Sequence, residues 1–150
     1  MKNVQGDLIA LTGRFDVIVH GCNCDGQMDA GIASAIRAHF PEASEVDAAT
    51  LPGDASKLDT YSFACCIRGD SKIAVINAYT QLHPSGLGVL VDYEAVRRAM
   101  RTLQHNFLGK RIGYPKIGAG LARGDWNILS QIINEELAGE DHTLVKNVAS

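Results

Sequence analysis

Short β-branched runs alternate with segments of helical period along this chain, and that alternation limits the folds open to it more than any other feature. Val17-Ile18-Val19-His20, set between Thr12-Gly13 and Gly21, reads as a buried strand. Gly31 to Phe40 follows with Ile32, Ala35, Ile36 and Phe40 on one helical face, and Pro41 is expected to stop it. Glu42 to Asp59 has no clear period and carries a Pro52-Gly53 turn. Tyr61 to Ile67 and Lys72 to Tyr79, separated by Arg68-Gly69-Asp70-Ser71, read as two strands joined by a turn. His83 to Gly88 reads as a loop. Asp92 is placed to cap a helix whose face is Val96, Ala99, Met100, Leu103 and Phe107, with Gly109 at its end. Arg111 to Tyr114 is a short strand, Pro115 to Gly124 a glycine-rich loop, and Asp125 caps a helix carrying Trp126, Leu129, Ile133 and Leu137. His142 to Val148 reads as a closing strand and Met1 to Val4 as an extra one.

This order predicts an α/β fold, a mixed and largely parallel sheet with helices on both faces. Such sheets bind ligands at the carboxyl ends of their strands. The loops to inspect are therefore Gly21 to Gly31 and Pro115 to Gly124, each leading from a strand into a helix. The 150 residues suffice for one domain over the whole chain, with a core that needs no staple.

Composition removes several classes of function. The formal net charge of −3 argues against an extended nucleic-acid footprint, which needs a basic face. No stretch approaches the roughly 18 apolar residues of a membrane span. The start has no charged region followed by an apolar run, so no signal peptide is expected. Cys22, Cys24, Cys65 and Cys66 lack the C-x-x-C spacing of common zinc or redox sites. They read as reduced thiols of a cytoplasmic protein, and neither a metal nor a cofactor is expected.

Both loops have the makings of a phosphate cradle. Gly26, Ala30 and Gly31 allow a ligand close to the first loop's backbone, and that loop ends at a helix N-terminus, where free N–H groups and the dipole favour an anion. The second loop repeats the design with Gly118, Ala119 and Gly120. Either loop alone is equally a tight turn that binds nothing; two at neighbouring strand ends can grip a diphosphate. A dinucleotide-binding Rossmann domain is disfavoured, because Gly21 to Gly26 does not give G-x-G-x-x-G.

Several motifs, in order, resemble the macrodomain family. Gly6-Asp7-Leu8 is similar to its G-D-I/L start, Val19-His20-Gly21-Cys22-Asn23 to the strand ending in the N-A-A-N asparagine, Ala30-Gly31-Ile32-Ala33 to the first phosphate loop, and Ile117-Gly118-Ala119-Gly120-Leu121 to the second. The resemblance spans about Asp7 to Val148 and implies a three-layer α/β/α fold and an ADP-ribose site. In that site Asp7 and Leu8 would meet adenine and Asn23 the distal ribose. Ala30, Gly31 and Ile32, with Gly118, Ala119, Gly120 and Leu121, would hold the phosphates, and Cys22 and Tyr79 would lie near the distal ribose. The run His20-x-Cys22-Asn23-Cys24-Asp25-Gly26 resembles the ADP-ribose-1″-phosphate phosphatases, a branch related to the terminal ADP-ribose glutamate hydrolases.

That branch implies His20, with Asp125, as proton-moving groups. The other reading of His20 is a packed core histidine, of Asp125 a plain helix cap, and of Asn23 an Asx-turn. Two departures weaken the hydrolase side: Ile73 to Thr80 carries no lysine, and Ala122 stands where a catalytic aspartate would be. Asp29 replaces a glycine, which puts a carboxylate by the first phosphate turn. The functional expectation is a phosphatase acting on ADP-ribose-1″-phosphate. The alternatives are a non-catalytic reader of ADP-ribose, free or on ADP-ribosylated macromolecules, and a hydrolase of another ADP-ribosyl linkage.

Overall fold

The computed structural model describes residues 1–147. Its sheet has six strands: β1 (Lys2–Gln5), β2 (Val17–Asn23), β3 (Tyr61–Arg68), β4 (Ser71–Gln81), β5 (Arg111–Tyr114) and β6 (Asp141–Lys146), in the spatial order β1-β6-β5-β2-β4-β3. All neighbours are parallel except β3 and β4, which form the expected antiparallel pair. Val148, the last residue of the predicted closing strand, lies outside the described residues. Four helices cover the sheet: α1 (Gly31–His39), α2 (Pro41–Ala48), α3 (Tyr93–Asn106) and α4 (Trp126–Glu136). No helix among the described residues is long and apolar enough to cross a membrane.

Side-chain alternation on the strands sorts the core into two layers. Val17 and Val19 of β2, with Ala74, Ile76 and Ala78 of β4, pack with Val96, Met100 and Leu103 of α3 and Leu129 and Ile133 of α4. Ile18, Ile73 and Val75 face the other way, against Ile36 of α1 and Ala43 of α2. Both long helices start as the sequence predicts. The Asp92 carboxylate accepts from Ala95 N at 3.0 Å and Asp125 from Asn127 N at 2.9 Å, each satisfying an N–H with no intrahelical partner.

One segment departs from expectation. Pro41 does end α1, but it also opens α2, because a missing N–H and a fixed φ suit the first helical position. α2 shows almost no amphipathic period, since it buries only Ala43 and Asp47, and it therefore leaves little trace in a hydrophobic pattern. Cys65 and Cys66 alternate as adjacent strand residues must, one exposed and one buried.

Candidate functional site

A cleft of about 800 Å³ opens where β1, β2, β4, β5 and β6 end. Gly6 to Leu8 form one end and Gly21 to Asn23 part of the floor. Residues from Gln27 to Ala33 form one wall and Pro115 to Ala122 the other. The anticipated ligand residues Asp7, Leu8, Cys22, Asn23, Ala30, Gly31, Ile32, Gly118, Ala119, Gly120 and Leu121 all line it. Lys116, within the second loop singled out by the sequence, and Pro84, in the loop His83 to Gly88, line it as well; Gln81 and Lys146 join them and were not anticipated. The signal for them was positional, since each sits at or just beyond a strand's carboxyl end. For Gln81 a β-bulge makes the difference. Cys22 pairs with Tyr79 but Asn23 with Gln81, so Thr80 is the extra residue and Gln81 is turned into the cleft.

Backbone strain and missing side chains shape the two walls. Gly31 begins α1 with φ +61°, in the left-handed region that costs other residues energy. Ala30 before it offers no capping side chain, the first turn of α1 holds no acidic residue, and Ala30 to Ala33 line the cleft, so an uncapped helix start forms this wall. On the opposite wall Gly118 has φ +76°, and a Cβ there would lie 2.6 Å from Val91 Cγ2. Gly124 N closes this loop on Gly118 O at 2.7 Å. A Cβ on Gly31 would stand 3.5 Å from Leu121 Cδ1, so the walls come together there.

Asn23 lines the cleft with its amide already engaged. Nδ2 donates to Gln27 O at 2.9 Å, and Oδ1 accepts from Asp25 N at 3.1 Å and Gln27 N at 3.3 Å. This is the Asx-type turn, and Asn23 shapes the first loop. Asp29 also lines the cleft, and its carboxylate meets Arg37 Nη1 at 3.0 Å.

Three residues expected at the site stand outside it. His20 does not line the cleft and has no exposed surface. Asn77 Nδ2 donates to Ala43 O and Ser62 Oγ, which turns Asn77 Oδ1 toward His20 Nε2 at 2.7 Å and fixes the imidazole proton on Nε2. Burial pushes the His20 pKa down to about 4, against smaller upward effects of the Asn77 bond and the Asp47 charge. His20 is thus a neutral packed histidine. Tyr79 is equally buried. Its hydroxyl donates to Asp47 Oδ1 at 2.6 Å and accepts from Ser62 Oγ at 2.8 Å, and Lys57 Nζ sits 4.8 Å over its ring while donating to Cys24 O. Burial and the Asp47 carboxylate both push the Tyr79 hydroxyl up. Asp125 is exposed, does not line the cleft, and spends its carboxylate on the α4 cap.

What links this buried network to the cleft is Cys22, which lines the floor with Sγ 3.6 Å from His20 Nδ1. Its thiol is held neutral by burial and by the Asp47 charge, with a smaller opposing effect of Lys57. Among the described residues no cluster of three or more His, Cys, Asp or Glu is placed to hold a metal ion.

The macrodomain of Thermus aquaticus DarG superposes with a TM-score of 0.75, covering 97% of this chain and 95% of that one at 19% identity. Thermosipho africanus DarTG, solved in complex with ADP-ribose, matches with a TM-score of 0.75 at 16% identity over 100% of this chain and 43% of the other. The mixed sheet between two helical layers, with its cleft at the strand ends, is a macrodomain fold. No protein-family model matches the sequence. An uncharacterized 17.5 kDa protein from the tk-vs intergenic region of enterobacteria phage T4 is 33% identical over 139 residues, which are 89% of this chain and 88% of that protein. The chain belongs to the family of that phage protein, with the macrodomain fold.

Proposed function

We propose that the cleft binds ADP-ribose or a ligand built like it. The observation that carries this reading is the pairing of two glycine-bearing walls across one cleft of about 800 Å³. One wall presents the uncapped N-terminus of α1 and the other the tight turn at Gly118. Backbone N–H groups on both sides suit a diphosphate. Asp7, at the end of the cleft, offers a carboxylate acceptor for an adenine amino group. The ADP-ribose complex of Thermosipho africanus DarTG, of the same fold, adds support.

Binding without turnover is the form of this reading we favour, because His20 and Asp125 stay outside the cleft. A second form, removal of phosphate from ADP-ribose-1″-phosphate, has one observation on its side: Cys22 touches His20 and also lines the cleft. Phosphorus NMR with excess ADP-ribose-1″-phosphate separates the two. Shifted or broadened signals with no inorganic phosphate released support a reader, on free or macromolecule-linked ADP-ribose. Release of the anomeric phosphate with the diphosphate intact supports the phosphatase, and release of ADP-ribose from an ADP-ribosylated macromolecule in a parallel assay supports a different hydrolase. An unchanged spectrum with this ligand and with ADP-ribose removes the ligand class.

A further inference from the structure

A carboxylate is the wrong charge for the wall of a phosphate site, yet Asp29 lines the cleft two residues before α1 begins. Its neighbour explains how the wall tolerates it. Arg37 reaches back along α1 to donate to Asp29 Oδ1 through Nη1 at 3.0 Å. Arg37 lies one turn beyond Ala33 on the same face of the helix; Ala33 lines the cleft, whereas Arg37 does not and meets its wall through Asp29. Long helical side chains lean toward the N-terminus, which carries this guanidinium toward the first loop.

The pair is loosely made. Its side chains are 57% and 66% exposed, and one N–H of the guanidinium meets one carboxylate oxygen. Exposed pairs of this kind contribute little and exchange partners readily. Arg68 and Arg111 each hold a carboxylate through two side-chain N–H groups instead. A guanidinium has five donors in a fork that matches phosphate oxygens, so Arg37 keeps most of its capacity.

We propose that Arg37 is a phosphate-binding cation of this cleft, and that Asp29 occupies it in the free protein as a built-in stand-in for the ligand. Binding then exchanges one anion for another on Arg37. The exchange costs every ligand that uses Arg37 the same free energy, so Asp29 lowers affinity for such anions without changing their order. This rests on the ADP-ribose reading for the ligand's identity, though not for its charge.

The test is a double-mutant cycle of Asp29→Asn and Arg37→Gln, both exposed changes, with urea midpoints to verify folding. Calorimetry measures ADP-ribose and AMP, and phosphorus NMR measures inorganic pyrophosphate. D29N should tighten ADP-ribose binding at least threefold, and AMP binding by a similar factor if AMP also takes Arg37. R37Q should weaken binding at least threefold, and it should do so in the D29N background as well. That last comparison decides. If Arg37 only neutralises Asp29, R37Q has no effect once the carboxylate is gone, and the proposal is overturned. If ADP-ribose fails to bind while pyrophosphate follows the predicted pattern, the functional reading falls and this proposal stands. If neither ligand binds any of the four proteins, both fall.

Discussion

His20 carries a consequence for stability that is independent of any ligand. Its folded pKa is about 4 and its ordinary value 6.5. Between those values the unfolded chain binds a proton that the folded chain refuses, so stability falls as pH drops from about 6.5 to about 4. A shift of that size corresponds to about 3 kcal/mol. Burial shifts His142 the same way and adds to the slope. Urea unfolding at several pH values should show this loss, and His20→Gln should flatten the curve. An unchanged curve in the variant would mean that His20 titrates alike in the folded and unfolded chain. The sequence placed His20 at the end of a strand but could not say what covers it. The cover is α2, whose Ala43 carbonyl fixes Asn77 and whose Asp47 accepts from Tyr79. The helix that left no hydrophobic pattern is the one that takes His20 and Tyr79 away from the cleft.

At the scale of elements the reading succeeded where a physical signal was local. Arg111–Tyr114 is a strand with the predicted bounds, and α3 and α4 start at the aspartates that cap them. Both cleft loops were legible because two glycine-bearing loops, each leading from a strand into a helix, occur together; either alone reads equally as a plain tight turn. Their interior was less so, because Asn23 could serve a ligand or its own loop, and only the observed bonds to Asp25 and Gln27 decide. The second loop separates stability from binding. Gly118→Ala forces a Cβ into the left-handed region and against Val91, and should cost about 2 kcal/mol or more. Gly120→Ala meets nothing within 4 Å, and should change stability by less than about 0.5 kcal/mol. If a ligand approaches the backbone at Gly120, that variant should nonetheless weaken ADP-ribose binding severalfold. Calorimetry beside urea unfolding checks both, and equal effects on stability from the two alanines would contradict the geometry.

For the whole molecule, sheet order was beyond the sequence. Alternating strands and helices predict a parallel sheet, but not that the first strand lies at one edge beside the last. Lys2 pairs with Thr143 and Gln5 with Lys146, and among the described residues β1 has no other strand neighbour. That pairing has the largest sequence separation in the sheet, so it bears the greatest loop-closure cost during folding. Pulse-labelled hydrogen exchange should find β2, β4 and β5 protected before β1, and simultaneous protection would show that the edge joins the nucleus.

The same edge fixes an order of assembly during synthesis. β6 emerges long after β1: Lys2 and its partner Thr143 are 141 residues apart, and at about 5–20 residues per second the wait is roughly 7–28 s. Asp7 and Leu8 follow β1 directly and Lys146 ends β6, and all of them line the cleft. A nascent chain can therefore shape both walls of the cleft before the end beside Asp7 is complete, because that end waits for β6.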